Sequence, residues 1–466
     1  MLSMNTPYEK YKISNLANGL IIATRNLLGN EASFCGLYVS SGARHEEDYE
    51  RGIAHGIEHM LHKDNEKRTA EEVNDRLEMV GSRRDAMTSP EDTVYFVWGG
   101  HEQTSLAIET LAQQVRYPVL SQKQLELEKR AIQEEVKRNQ GVVSRRDSCQ
   151  IMEAAYQDQN IGRSVIGAVN DIENFSSAKM QNFLENHYQP DNIILFAYGN
   201  VDHDEVVEIA KNNFGDMAKH KNEVKAVEPA RFTEGEIRTD DTSYANTHFT
   251  IAFEGTSLEE RGTPKHYESE ILAKILGGGN SSRLSSELRG KEGIVYDISV
   301  ESKSFSDTGM ITISTEMSGD NIPKAIDVIC EQINDIASNV TQKDIDIAKA
   351  MVITNKRMNK NALVLNPDDF FQIRKSGTSL SIDEEIKGYE DVTIENIQDL
   401  TKKLIDGKMA TSSLGPQASK MPSNAEISSK LFKREAVQFA GYDSASAYVK
   451  SRRDSAEIEP DGRKTK

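Results

Sequence analysis

Apolar residues fall along this chain in two rhythms. Short runs such as Leu20-Ile21-Ile22-Ala23-Thr24, Phe34 to Val39 and Thr93 to Val97 are dense in β-branched and aromatic side chains and predict strands. The stretches Glu71 to Val80 and Leu125 to Arg138 instead repeat apolar positions every three or four residues among charges, and predict amphipathic helices. Interleaving of the two kinds predicts an α+β class, mixed sheets with helices packed on them. Ser412 to Pro416 predicts a last strand. Beyond it the chain turns to Ser, Lys, Arg, Asp and Glu, and the final dozen or more residues are expected to be mobile.

The pattern occurs twice. Ala107 begins AIETLAQQV, then SQKQLELEKRAIQEEVKRN; Ala325 begins AIDVICEQI, then TQKDIDIAKAMVITNKRMN, about 218 residues later. Ser121 against Thr341, and Ile193 to Gly199 against Ala410 to Gly415, keep nearly the same offset. So long a period describes two duplicated domains, since solenoid units run to about 50 residues. The charged, proline-marked stretch from Asp216 to Thr239 suits a linker. The expected division is residues 1–222 for a first domain, 223–240 for the linker, 241–420 for a second domain, and 421–466 for a partly mobile extension.

Composition narrows the classes. With 466 residues, 37% apolar, the chain has ample material for a core. Acidic side chains outnumber basic ones 74 to 56, and a net charge of −18 repels phosphate backbones and anionic lipid, so neither nucleic acid nor a membrane is an expected partner. No window approaches the roughly 18 unbroken apolar residues of a spanning helix, and Met1 to Thr6 does not begin a standard leader. Cys35, Cys149 and Cys330 are odd in number and far apart, which excludes a disulfide framework and suits a reducing compartment, the cytoplasm or an organellar matrix.

The sharpest chemical signal is His55-Gly56-Ile57-Glu58-His59. On a helix His59 lies about 40° from His55, and Glu58 about 60° to the other side, so the three share a face. Two imidazoles at this spacing grip one ion, zinc by preference, and Glu58 is placed to take a proton from a water. A further ligand must come from elsewhere. The helix Glu126 to Val136 carries Glu128 and Glu135 on one face, although such Glu-Lys-Arg helices taken singly read as solvated surfaces. The duplication separates these readings. In the second copy Glu128, Glu134 and Glu135 become Ala348, Thr354 and Asn355, and no His-x-x-Glu-His follows residue 59. Both parts of one metal set are thus present in one copy and absent from the other.

These residues together resemble the pitrilysin and mitochondrial-processing-peptidase family of inverted zincins. The likeness extends to Gly42 with Arg44-His45-Glu46, to Asp85-Ala86-Met87-Thr88-Ser89, to Gly162-Arg163 through Gly167, to His187-Tyr188 with Pro190-Asp191-Asn192, and to Gly199-Asn200-Val201-Asp202. In the second half Leu276 to Gly279, Arg289 and Gly293 to Tyr296 resemble the family's inactive domain. The resemblance spans about residues 10 to 416. It implies one zinc per chain on His55, His59 and Glu135, with Glu58 as general base and Glu128 as an outer carboxylate. It further implies that Arg289 and Tyr296 hold the substrate from the second domain, and that the edge strand around Asp85 and Ala86 takes an extended peptide by strand addition.

What the resemblance implies is a zinc endopeptidase closing two domains on extended or unfolded peptides. A half-length chain of this family works as a homodimer or as a heterodimer with a related subunit. A nearer alternative is the catalytic subunit of a presequence-processing peptidase with a non-catalytic partner; a more distant one is a scaffold subunit. Departures also matter. Asp85 stands where the family has Asn, which suggests basic substrates, and His62 stands where an aromatic is common. Gly277 to Gly279 resembles a phosphate loop but lacks the following Lys-Ser/Thr.

Overall fold

The computed structural model describes residues 10–27, 29–219, 227–359, 363 and 366–431. The expected mobile tail lies outside the described residues, as do residues 220–226 of the linker region. Six strands, β1 (Lys12–Asn15), β2 (Ile21–Asn26), β3 (Ala32–Val39), β4 (Arg83–Thr88), β5 (Thr93–Gly100) and β6 (Ile193–Gly199), form one sheet in the order β1-β2-β6-β3-β5-β4. Five more, β7 (Glu236–Asp240), β8 (Thr247–Glu254), β9 (Ile298–Ser304), β10 (Gly309–Met317) and β11 (Met409–Gly415), form a second in the order β7-β11-β8-β10-β9. Each sheet joins one parallel pair, β2 with β6 or β7 with β11, to antiparallel neighbours. The second sheet therefore repeats the first without β1, the duplication expressed in topology.

Helices of the first half are α1 (Ile53–Leu61), α2 (Ala70–Glu78), α3 (Thr104–Arg116), α4 (Gln122–Gln140), α5 (Val143–Ala155), α6 (Val169–Glu173), α7 (Ser177–His187) and α8 (His203–Phe214). Those of the second are α9 (Pro264–Gly277), α10 (Ile322–Asn339), α11 (Gln342–Met358), α12 (Pro367–Ser376), α13 (Ile382–Glu390), α14 (Ile394–Asp406) and α15 (Asn424–Leu431). In the first half Leu37, Val97 and Leu195 of the sheet pack with Ile57, Leu111 and Ile132 of α1, α3 and α4.

The opposite face of each sheet is covered from the other half. Phe370 and Ile373 of α12 pack on Tyr38, Val94, Ile194 and Phe196 of the first sheet, with the Phe370 and Phe196 rings stacked at 4.5 Å. Reciprocally, Ile151, Ala154 and Ala155 of α5 pack with Ala252, Met310 and Ala410 of the second. Asp147 of α5, fully buried, accepts there from His248 (2.9 Å) and Thr250 (2.7 Å). Covering both faces explains why β6 is apolar and buried along its whole length rather than alternating. By contrast β4 lies at an edge, and its sequence RRDAMT is polar and alternately exposed. No helix among the described residues is long and apolar enough to cross a membrane.

Candidate metal centre

Helix α1 starts at Gly52, which has φ +83° and whose Cβ would meet the Ile166 carbonyl at 2.9 Å, so glycine is required. Lacking a side chain, Gly52 cannot cap the helix. Glu46 does so instead, its carboxylate accepting from the N–H groups of Gly52 (2.8 Å) and Ala54 (2.9 Å). Burial nevertheless pushes this carboxyl up to about 8. One face of α1, with Ile53, Ile57, Met60 and Leu61, goes into the core, and the His55–His59 face meets α4. On α4, capped by Ser121 through the Gln124 N–H, the buried stripe Leu125, Ile132 and Val136 turns Glu128 and Glu135 toward α1.

Ligating atoms of His55, His59 and Glu135 lie within 4.8 Å of one another, and no other such group of three occurs among the described residues. The Nε2 atoms of His55 and His59 stand 3.7 and 3.5 Å from Oε2 of Glu135. These separations exceed a hydrogen bond but match the edge, about 3.4 Å, of a tetrahedron with ligands about 2.1 Å from a zinc ion. Burial drives the His55 imidazole down to about 3, so it stays neutral with a lone pair for a metal. The donor set therefore fits zinc: two imidazoles, one carboxylate, and an opening, since His59 and Glu135 keep about a quarter of their side-chain surface. The structure carries no ion.

Around this trio the neighbours differ in their partners. Glu128 accepts from Nδ1 of His59 at 3.2 Å and pairs with Lys63 at 2.6 Å. Burial works against its charge, but these two partners hold the carboxyl below its ordinary range. Burial alone would lower His59; the hydrogen bond to Glu128 and the charges of Glu58, Glu128 and Glu135 leave it raised. Nδ1 of His55 is buried without a hydrogen-bond partner among the described residues, and its ring meets that of His59 edge-on at 4.7 Å. Glu58 accepts from the Thr88 hydroxyl at 2.5 Å, and burial raises its pKa. Glu134 points to solvent and pairs with Lys137.

His62 closes α1. Its Nδ1 donates to the Glu58 carbonyl at 2.9 Å, so its role there is with the backbone of the helix end. Asp85 and Ala86 lie on the edge strand β4, beside Thr88. Arg289, in a π-helical turn at Ser285–Lys291, places its guanidinium 5.4 Å over the ring of Tyr296, which is 85% exposed. Among the described residues no hydrogen bond or ion pair links this pair to the trio on α1 and α4. Lys63, Thr88 and the capping role of Glu46 were not assigned from sequence. Lys63 had a signal in its i, i+4 spacing from His59, and the other two stood inside motifs already noted.

Residues 21–169 match the family described as Insulinase (Peptidase family M16), and residues 174–352 match its companion, the Peptidase M16 inactive domain. An uncharacterized zinc protease of Rickettsia felis is 25% identical over 88% of this chain and 98% of its own length. The beta subunit of the mitochondrial-processing peptidase of Bos taurus is 26% identical over 89% of this chain and 85% of its own. Among solved structures, a Helicobacter pylori protease superposes with a TM-score of 0.80 at 19% identity, covering 88% of this chain and all of that one. A chain of the Candida albicans complex III2 does so at 0.78 and 19%, over 90% of this chain and 99% of its own. These two likenesses concern the fold.

Proposed function

This chain belongs to peptidase family M16, and on that footing we propose that it is a zinc-dependent endopeptidase acting on extended or unfolded polypeptide between its two halves. The observation that carries this reading is the convergence of His55, His59 and Glu135, with Glu58 on the same helix, in one half only. Residues 1–222 then form the zinc-binding half and 241–420 the inactive one, joined by 223–240 and followed by 421–466. When bound, zinc supplies Lewis acidity toward a water and the peptide carbonyl.

The protein's own groups do the rest. His55, His59 and Glu135 hold the ion, and Glu128, itself held by Lys63, keeps His59 with Nε2 turned toward it. Glu58 accepts the water's proton and returns it to the leaving amine. The edge of β4 at Asp85 and Ala86 binds the peptide main chain, and Arg289 with Tyr296, exposed on the second half, steadies the substrate as charge develops.

Likeness to a subunit of a processing peptidase supports work as a homodimer or alongside a related subunit. The acidic balance favours, as a second reading, the processing of basic presequences with a non-catalytic partner. A scaffold role has no use for an intact metal set. The test is metal analysis with peptide cleavage. About one zinc per chain, with hydrolysis lost to chelator and restored by zinc, is the expected result; a metal-free chain that cleaves no peptide overturns the reading.

A further inference from the structure

The second half has a cleft at the place where the first brings His55, His59 and Glu135 together. Helices α9 and α11 repeat α1 and α4. Ser121 and Thr341 cap α4 and α11, and Ile345 and Val352 are buried as Leu125 and Ile132 are. On α9 the buried Ser269, Leu272, Ile275 and Leu276 keep the spacing of Ala54, Ile57, Met60 and Leu61 on α1. In that register Glu270, Ala273 and Lys274 stand at the positions of His55, Glu58 and His59, and Asn355 at that of Glu135. A cavity of about 510 Å³ opens there beside the edge strand β9, its wall including Glu270, Ala273, Lys274, Ser302, Met351 and Asn355.

Most charges on this wall are paired. Lys303 pairs with Glu301 at 3.2 Å, and Lys356 with Glu385 at 3.2 Å. The Lys274 ammonium has neither an ion pair nor a hydrogen bond among the described residues. Glu270 accepts the Tyr389 hydroxyl at Oε2, while its Oε1 stands 3.8 Å from Nε2 of His266, beyond a hydrogen bond. One cation and one carboxylate oxygen are therefore left open, four residues apart on one helix face. At about 1.5 Å per residue they are separated by about 6 Å along the axis. The ends of an extended dipeptide lie about 7 Å apart, at roughly 3.3–3.6 Å per residue. On the facing helix, the side-chain oxygen of Asn355 accepts from Asn359, which leaves its amide N–H groups for a ligand.

We propose that this cleft binds a short zwitterionic peptide of about two residues, its free ammonium on Glu270, its peptide carbonyl on Asn355 and its carboxylate on Lys274. A single open cation matches a single carboxylate, whereas Glu270 and Glu301 on the same wall repel a dianion such as phosphate. Ala273 stands where the first half has Glu58, so the peptide is held and not cleaved. The inference goes beyond the peptidase reading, since it concerns the half without the metal set. Its ligand is of the class that peptide hydrolysis leaves, short chains with both ends free.

The full chain is treated with chelator, so that no peptide end is held by a metal, and titrated with dialanine by calorimetry. Alanine, tetra-alanine, N-acetyl-dialanine, dialanine amide, acetate and inorganic phosphate are compared. Dialanine is expected to bind best, each blocked end weakening it about tenfold, the scale of a hydrogen bond to a charged group. Lys274→Met should bind dialanine and its amide alike. Glu270→Gln, which still accepts from Tyr389, should bind dialanine and its acetylated form alike. Acetate or phosphate bound as well as dialanine would make the cleft a plain anion site and overturn the proposal. So would a parent protein that binds no dialanine, or binds it with the same affinity when its ends are blocked. The blocked peptides test the parent itself, so the result does not depend on either variant folding. Because the metal has been removed, a failure of the peptidase reading leaves these outcomes unchanged.

Discussion

Nδ1 of His59 lies 3.2 Å from Oε2 of Glu128. A carboxylate accepts, so Nδ1 carries the proton of this contact, and Nε2 is the ring atom that faces Glu135 at 3.5 Å. The two carboxylates of α4 therefore differ in setting: Glu135 lies within 4.8 Å of the His55 and His59 nitrogens, while Glu128 sits behind His59, tied to Lys63.

Zinc retention should follow that division. Glu135→Gln removes a proposed ligand and should retain least metal. Glu128→Gln should be intermediate, with about 10- to 100-fold lower affinity or activity, the usual cost of an outer partner. Glu134→Gln, at a solvent-facing position, should match the parent. Metal content after dialysis checks the order; a Glu134 variant that loses zinc while the Glu135 variant keeps it would reverse the register of α4.

Glu58→Gln should abolish hydrolysis while zinc stays bound. Glu58 is not one of the three grouped ligands, and the amide has the same shape without the basicity. Loss of metal from this variant would make Glu58 a ligand.

Arg289→Ala and Tyr296→Phe should each lower peptide turnover with zinc content unchanged. Both residues lie in the second half, stacked on one another and away from the proposed ligands His55, His59 and Glu135. Wild-type cleavage by both variants would remove them from the mechanism.

Much of this site is legible in the sequence because helical geometry is rigid. Five residues place His55, Glu58 and His59 on one face, and seven place Glu128 and Glu135 on another. The apolar stripes of α1 and α4 then decide which way those faces turn. What separates the two carboxylates is less local. Glu128 is set apart by Lys63 and by Nδ1 of His59, partners chosen by how two helices cross rather than by spacing.

The duplication is equally plain in sequence, but the exchange of α5 and α12 between the halves is not. Each helix carries an ordinary apolar stripe that suits its own sheet as well as the other. Only the packing of Phe370 on Phe196, and of Ala154 in the second half's core, shows which sheet it covers. The Asp85 hydrogen bond to Ala86 is illegible for a related reason, since it depends on the phase of the β4–β5 ladder.

Stability should carry a proton-linked contribution from Glu46. Its folded pKa is raised from 4.5 to about 8, chiefly by burial, so between those values the folded chain holds a proton the unfolded chain has released. Stability then falls as pH rises through that window, by at most about 1.4 kcal/mol per pH unit for one group. Glu46→Gln cannot titrate. The melting temperature of this variant minus that of the parent should therefore climb from pH 5 to pH 8. A flat difference would mean that the α1 N-terminus keeps Glu46 charged throughout.

The two halves also meet through a buried arginine. Arg44, in the short turn Ala43–His45 after β3, reaches the β9–β10 turn and bonds both carboxylate oxygens of Asp307 at 2.8 and 2.7 Å. It also bonds Glu91 in the β4–β5 turn at 2.6 Å, and Glu91 in turn accepts from the Ser306 N–H. The equivalent hairpin tips of the two sheets are thereby clasped around one guanidinium whose side chain is 4% exposed. Removing one partner of a buried pair costs about 3–5 kcal/mol, but Asp307 is 29% exposed and Glu91 would remain. Asp307→Ala should accordingly destabilise by about 1–3 kcal/mol. An Arg44→Met, Asp307→Leu double variant should lose less than its single changes summed, because each single change strips one member of the Arg44–Asp307 pair of the other, a loss the double variant does not incur twice. Urea unfolding of the four proteins measures this coupling. Additive losses would mean that Arg44 belongs to the first half only, and that the clasp contributes nothing to holding the halves together.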